Sequence, residues 1–145
     1  QASRVWPQAD DLRIEASVST AGTYGELWNV SYPKDKGMSL TVNYMLSPMG
    51  EIKGSFLVYP LKIENIAQAI REQSFLKLSK EIAPKLVPFH APDLRLKITS
   101  QGKSHEVRLY FPDGVIDRDD AKRFIVIWDA IFESLPIRPD LGLKR

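Results

Sequence analysis

Leu12, Ile14, Ala16 and Val18 alternate with polar neighbours, the period of a half-buried strand. Two glycines between Ser19 and Gly25 mark a turn. A second strand follows over 26–32, with Trp28, Val30 and Tyr32 in phase, and Pro33 and the KDKG run end it. Residues 38–46 alternate most clearly, with Leu40, Val42, Tyr44 and Leu46 on one side. The Ser47-Pro48-Met49-Gly50 stretch carries proline and glycine where a β-turn favours them. The chain then returns as a strand over 51–59, stopped by Pro60, with Gly54 marking a bulge or a close approach.

After Pro60 the period changes. Ile63, Ile66, Ala67, Ile70 and Ser74 share one helical face, which predicts a helix over 62–74. Prolines at 84, 88 and 92 then exclude a long regular element from 79–92. Leu94, Leu96 and Ile98 alternate, as do Val107, Leu109 and Phe111. A two-residue turn at Gln101-Gly102 sets Ser100 against Lys103, Ile98 against His105, Leu96 against Val107 and Leu94 against Leu109. Apolar residues thus meet on one face, so the register is internally consistent. A second helix carries Ala121, Phe124, Ile125, Trp128, Ile131, Phe132 and Leu135 in a wide stripe, with Val126 and Ile127 off it. Asp117 is its expected N-cap, and Pro136 ends it. The expected class is α+β: an antiparallel sheet of about four to six strands with two main helices packed on it. We expect one domain over 1–145, with an extended lead-in over 1–11 and a loose tail over 137–145.

Composition alters this picture little. At 145 residues, 43% hydrophobic and 26% charged, the chain is long enough to bury a core without covalent staples. It has no cysteine, which removes disulfides, thiolate nucleophiles and the common structural zinc sites. No apolar run reaches the roughly 18 residues of a membrane span. The opening residues, QASRVWPQADD, lack an initiating methionine, so we expect either a removed leader or a piece of a longer protein. The net charge of +2 is concentrated: residues 61–108 hold nine Lys/Arg against five Asp/Glu. That is sparse beside a dedicated nucleic-acid binder.

The chemistry-bearing residues are few. Nucleotide-binding glycine loops, HExxH and EF-hand spacings are all missing, as is a serine elbow. The two histidines, His90 and His105, lie near opposite ends of the 94–111 hairpin. His90 and Asp93 form the one candidate pair for catalysis, as a base with an orienting carboxylate. A proline-bracketed loop fixed by local hydrogen bonds, with Pro92 starting the strand, accounts for them better. The hairpin's polar face is more suggestive. Arg95 faces Arg108, with Lys97, Glu106 and Tyr110 beside them, and Lys97 stands opposite Glu106. Directly opposed like charges are unfavourable, and arginine forks suit an anion or an acidic partner. Met45, Leu57 and Tyr59 fall on the non-core phase of their strands and form a second candidate patch if that face is open.

The stretches MSLTVNYMLSPMGEIKGSF, IENIAQAIREQSFLKL and APDLRLKITSQGKSHEVRLY, followed by the Trp128 helix, repeat a hairpin-then-helix order. This order resembles small bacterial exported and lipoprotein-type α+β domains over Leu40 to Leu135. The resemblance implies an extracytoplasmic (periplasmic or secreted) accessory domain and transfers no functional residue. The expectation is a non-enzymatic binding or accessory domain that contacts a protein or anionic partner through Arg95, Lys97, Arg108 and Tyr110. No metal, cofactor or nucleic acid is expected, and self-association is compatible with the pattern. The alternative is a small hydrolase-like or ligand-processing enzyme using His90 and Asp93.

Overall fold

Seven strands form one sheet in the computed structural model, which describes residues 5–20, 26–35, 37–44, 50–141 and 143. They are β1 (Arg13–Thr20), β2 (Glu26–Lys34), β3 (Gly37–Tyr44), β4 (Glu51–Leu57), β5 (Glu81–Ile82), β6 (Pro92–Ser100) and β7 (Lys103–Tyr110). Their spatial order is β4-β3-β2-β1-β6-β7-β5. The first four are an antiparallel meander, β6 and β7 are a hairpin, and β1 pairs with β6 to join the two halves. Only β5 runs parallel to its neighbour, pairing Glu81 with Arg108 and Ile82 with Leu109. The sheet is therefore mostly antiparallel but mixed. Its seven strands exceed the expected four to six because a two-residue strand leaves no periodic signal, and β5 lies in 79–92, where the prolines exclude only a long regular element.

The alternation of side chains decides the layering. Ile14, Ala16, Val18, Trp28, Val30, Leu40, Val42, Leu94, Leu96, Ile98, Val107 and Leu109 are buried on one side. That side meets α1 (Pro60–Glu72) and α3 (Asp119–Phe132). The two helices run antiparallel. Lys62 at the start of α1 reaches Glu133 beyond α3 (3.1 Å), and Arg123 near the start of α3 donates to the Gln73 carbonyl at the end of α1 (2.8 Å). A third, one-turn helix, α2 (Pro112–Val115), corrects the expected count of two.

Helix boundaries also moved. β4 ends at Leu57, short of the expected 59, and Pro60 does not stop it but opens α1, where its missing N–H costs nothing. The cap of α3 is Arg118 rather than Asp117. Pro33 does not end β2, which continues to Lys34 past an irregularity in its ladder with β3. The hairpin register, in contrast, is the expected one at every pair from Ser100–Lys103 to Asp93–Tyr110. Gln101 and Gly102 both have positive φ (55° and 70°), as a type I′ turn requires.

Both ends of the described chain are tied to the core. In the segment expected to be extended, Ala9–Asp11 is a 3-10 turn. Trp6 stacks on Phe75, and its indole N–H donates to the carbonyls of Ser100 (3.0 Å) and Lys103 (3.2 Å). In the tail expected to be loose, Leu141 is buried and Leu143 packs against the core.

Trp128 is the largest fully buried side chain, stacked between Phe124 (5.8 Å) and Phe132 (4.7 Å). Trp128→Ala should therefore lower unfolding free energy by about 3–5 kcal/mol, read from urea denaturation. A negligible loss would contradict this packing.

Candidate functional site

The sheet face away from the helices carries the polar phase of every strand. Following the register gives the central row Lys53, Thr41, Asn29, Ser17, Arg95, Arg108 and Glu81. Beside it run Ser55, Ser39, Ser31, Glu15, Lys97 and Glu106, and on the other side Glu51, Asn43, Leu27, Ser19, Asp93 and Tyr110. The four residues singled out on the hairpin, Arg95, Lys97, Arg108 and Tyr110, do share this face.

Their charges are answered within the chain. Arg95 forms a charge-assisted hydrogen bond to Glu106, the residue expected to pair with Lys97. This bond holds Glu106 below the usual carboxylate range and raises Arg95 further. Lys97 turns instead to Glu15 on β1, at 3.9 Å. Arg108 donates to Asp93 (3.1 Å) and lies over the Tyr110 ring, 5.4 Å from its centre. The opposed arginines thus coexist because each takes a different carboxylate. An incoming anion would have to displace Glu106 or Asp93.

His90 and Asp93 part company in this arrangement. His90 is exposed, edge-on to Phe89 at 5.0 Å, in a loop where the Ala91 N–H closes on the Pro88 carbonyl (3.1 Å). Asp93 lies on the sheet, with one carboxylate oxygen on Arg108 and the other buried without a hydrogen bond. Burial holds its pKa above the ordinary value. Arg108 works against that shift, and Glu81 adds to it. Burial likewise raises Tyr110. His105 serves packing: its ring meets Phe75 edge-on at 5.3 Å, and Nε2 lies 2.8 Å from the Leu78 carbonyl. Among the described residues no group of three metal-ligating side chains stands together, and no helix is long and apolar enough to cross a membrane.

The hairpin face holds a cleft of about 360 Å³ whose lining includes Lys97, His105, Glu106 and Arg108, and a larger one lies elsewhere. A cleft of about 940 Å³ opens where the ends of β2 and β4 meet the start of α1 and the 9–11 turn. Leu12, Tyr32, Pro33, Leu57, Val58, Pro60 and Ile63 supply its apolar lining, and its charged groups are three carboxylates, Asp10, Asp11 and Glu64, with one cation, Arg13. Burial holds the Tyr32 phenol above its usual range. Two of the three patch residues named from sequence stand here. Leu57 is 66% exposed and lines the cleft, and Tyr59 is 70% exposed two residues on. Met45 lies outside the described residues. The sequence reading missed Leu61, which is 73% exposed and off the buried stripe of α1, and it missed the cleft, whose walls come from four separate segments. It also missed Leu86, Val87 and Phe89, exposed in the proline loop at the opposite end of the sheet.

No protein-family model and no curated protein matches this sequence.

The charge arrangement around Asp93 has a pH signature. A carboxyl whose folded pKa is raised favours folding most when protonated, and that contribution is lost as pH rises through the raised value. Asp93→Asn should therefore gain stability relative to the parent as pH climbs from below 3.8, its ordinary pKa, and the difference should then level off. Urea unfolding across an acidic pH series reads it. A difference that grows the other way would mean that Arg108 outweighs burial.

Proposed function

We propose that this protein is a non-enzymatic binding or accessory domain whose contact surface is the corner where β4 passes into α1. The reading rests chiefly on one observation. A cleft of about 940 Å³, with a largely apolar lining, is bordered by exposed Leu57. Its volume falls in the range of ligand pockets. Leu57, Tyr59 and Leu61 extend the apolar surface beyond its rim, the usual mark of a contact site. The ligand or partner is one with an apolar body. An exported setting is part of the proposal and rests on the resemblance in element order alone.

The hairpin face is the weaker candidate. Its arginines are already paired with Glu106 and Asp93, so little free positive charge is left to draw an acidic partner. The enzyme reading lacks a site: His90 lines none of the described clefts, and Asp93 is committed to Arg108.

An apolar dye with an anionic head, 1-anilinonaphthalene-8-sulfonate, probes the location. The folded protein should bind it saturably at one site. Leu57→Glu at the rim should weaken that binding about tenfold or more, by setting a charge against the apolar body. Leu86→Glu, in the distant proline loop, should leave it unchanged. Loss of binding with Leu86→Glu instead would move the site to that loop.

A further inference from the structure

The two edges of the sheet are finished differently. At one edge β5 covers part of β7, with the Arg108 N–H donating to the Lys80 carbonyl at 2.8 Å, and the His105 ring nearby reaches the Leu78 carbonyl. At the other edge, no strand among the described residues pairs with the outer side of β4. The Tyr44 N–H donates to the Gly50 carbonyl (3.0 Å), which fixes the phase of the β3–β4 ladder. The even-numbered residues Ile52, Gly54 and Phe56 therefore turn their main-chain groups toward β3. Glu51, Lys53, Ser55 and Leu57 turn theirs outward.

A row of outward N–H and C=O groups is a template for another strand unless proline, a bulge, charge or a covering element blunts it. β4 contains no proline, and its ladder with β3 runs without a register shift. Its one lysine, Lys53, is paired to Glu51 at 3.0 Å, so the strand's charged side chains cancel each other.

We propose that β4 pairs antiparallel with β4 of a second copy of this chain, about a twofold axis at Gly54. The edge is self-complementary in that register. Glu51 meets Leu57 of the second copy, Ile52 meets Phe56, and Lys53 meets Ser55. All seven residues of the strand are used, and no like charges stand opposite. Shifting the axis to Lys53 sets lysine against lysine and shortens the overlap. On the helix side, exposed Ile52 and partly buried Phe56 face each other twice, once on each side of the axis. The result is an isologous dimer with one continuous sheet. Leu57 belongs both to this edge and to the cleft rim, but the pairing needs no occupant in the cleft, which a monomer also possesses, and its test acts at Ser55, outside the cleft lining.

Sedimentation velocity over rising concentration, with circular dichroism on each variant, tests it. The parent protein should form dimers. Ser55→Pro deletes an outward N–H while sparing the bonds to β3, and should sediment as a folded monomer. If that variant does not fold, a charge pair decides. Ser55→Lys sets a lysine against Lys53 of the partner, and Ser55→Glu sets a carboxylate there. The dimer dissociation constants of these two should differ by roughly tenfold or more, with Glu the tighter. A parent that stays monomeric, a folded Ser55→Pro that still dimerises, or Lys and Glu variants of equal affinity would each overturn the proposal.

Discussion

The pairing of β1 with β6 holds the molecule together. The meander of β1–β4 and the β6–β7 hairpin are each local structures, and this one ladder makes them a single sheet. On the helix side it sets Ile14 against Ile98, Ala16 against Leu96 and Val18 against Leu94, all buried. On the open side it sets Glu15 against Lys97 and Ser17 against Arg95. A slip of one residue would turn one strand's apolar side chains into water and its polar ones under the helices, so the seam has effectively one register. Asp11 reinforces it by accepting from the Gln101 N–H (2.7 Å) and from the Ser100 hydroxyl, just past the seam's end.

How much of this the sequence disclosed depends on distance along the chain. The β6–β7 register was legible because a two-residue turn allows few alternatives and the apolar residues agree on one of them. The β1–β6 seam was not, since nothing local specifies a partner some eighty residues away. The α1 and α3 stripes were legible from their period, while β5 and α2 are too short to have one. At the candidate site the outward phase of Arg95, Lys97, Arg108 and Tyr110 could be read from alternation. Their actual partners could not, because Arg95 reaches diagonally to Glu106 and Lys97 crosses to a different strand. Leu57 and Tyr59 were found by phase. The cleft beside them was invisible because residues near 12, 32, 57 and 63 meet there only through the tertiary fold.

The electrostatics and the apolar surface divide the molecule by role. On the open face, cations and carboxylates interlock across β1, β6 and β7, and several of those side chains are partly buried. Such interlocking adds modestly to stability and orients neighbouring strands, but it leaves little unsatisfied charge for recognition. The β4–α1 corner has the opposite character: large apolar groups with water on one side and a cleft on the other.

The seam also bears on how the chain is made. Synthesis delivers the meander first, with β1 at its margin and Ile14, Ala16 and Val18 in place. Residues 92–99, which will cover that margin, emerge only after α1 and the proline loop. In the interval a meander that had already paired would have its future centre exposed as an edge, with neither α3 nor the hairpin present to shield its apolar side. A strand paired on both sides in the finished protein would thus be open along one side during translation, until the hairpin has emerged from the ribosome.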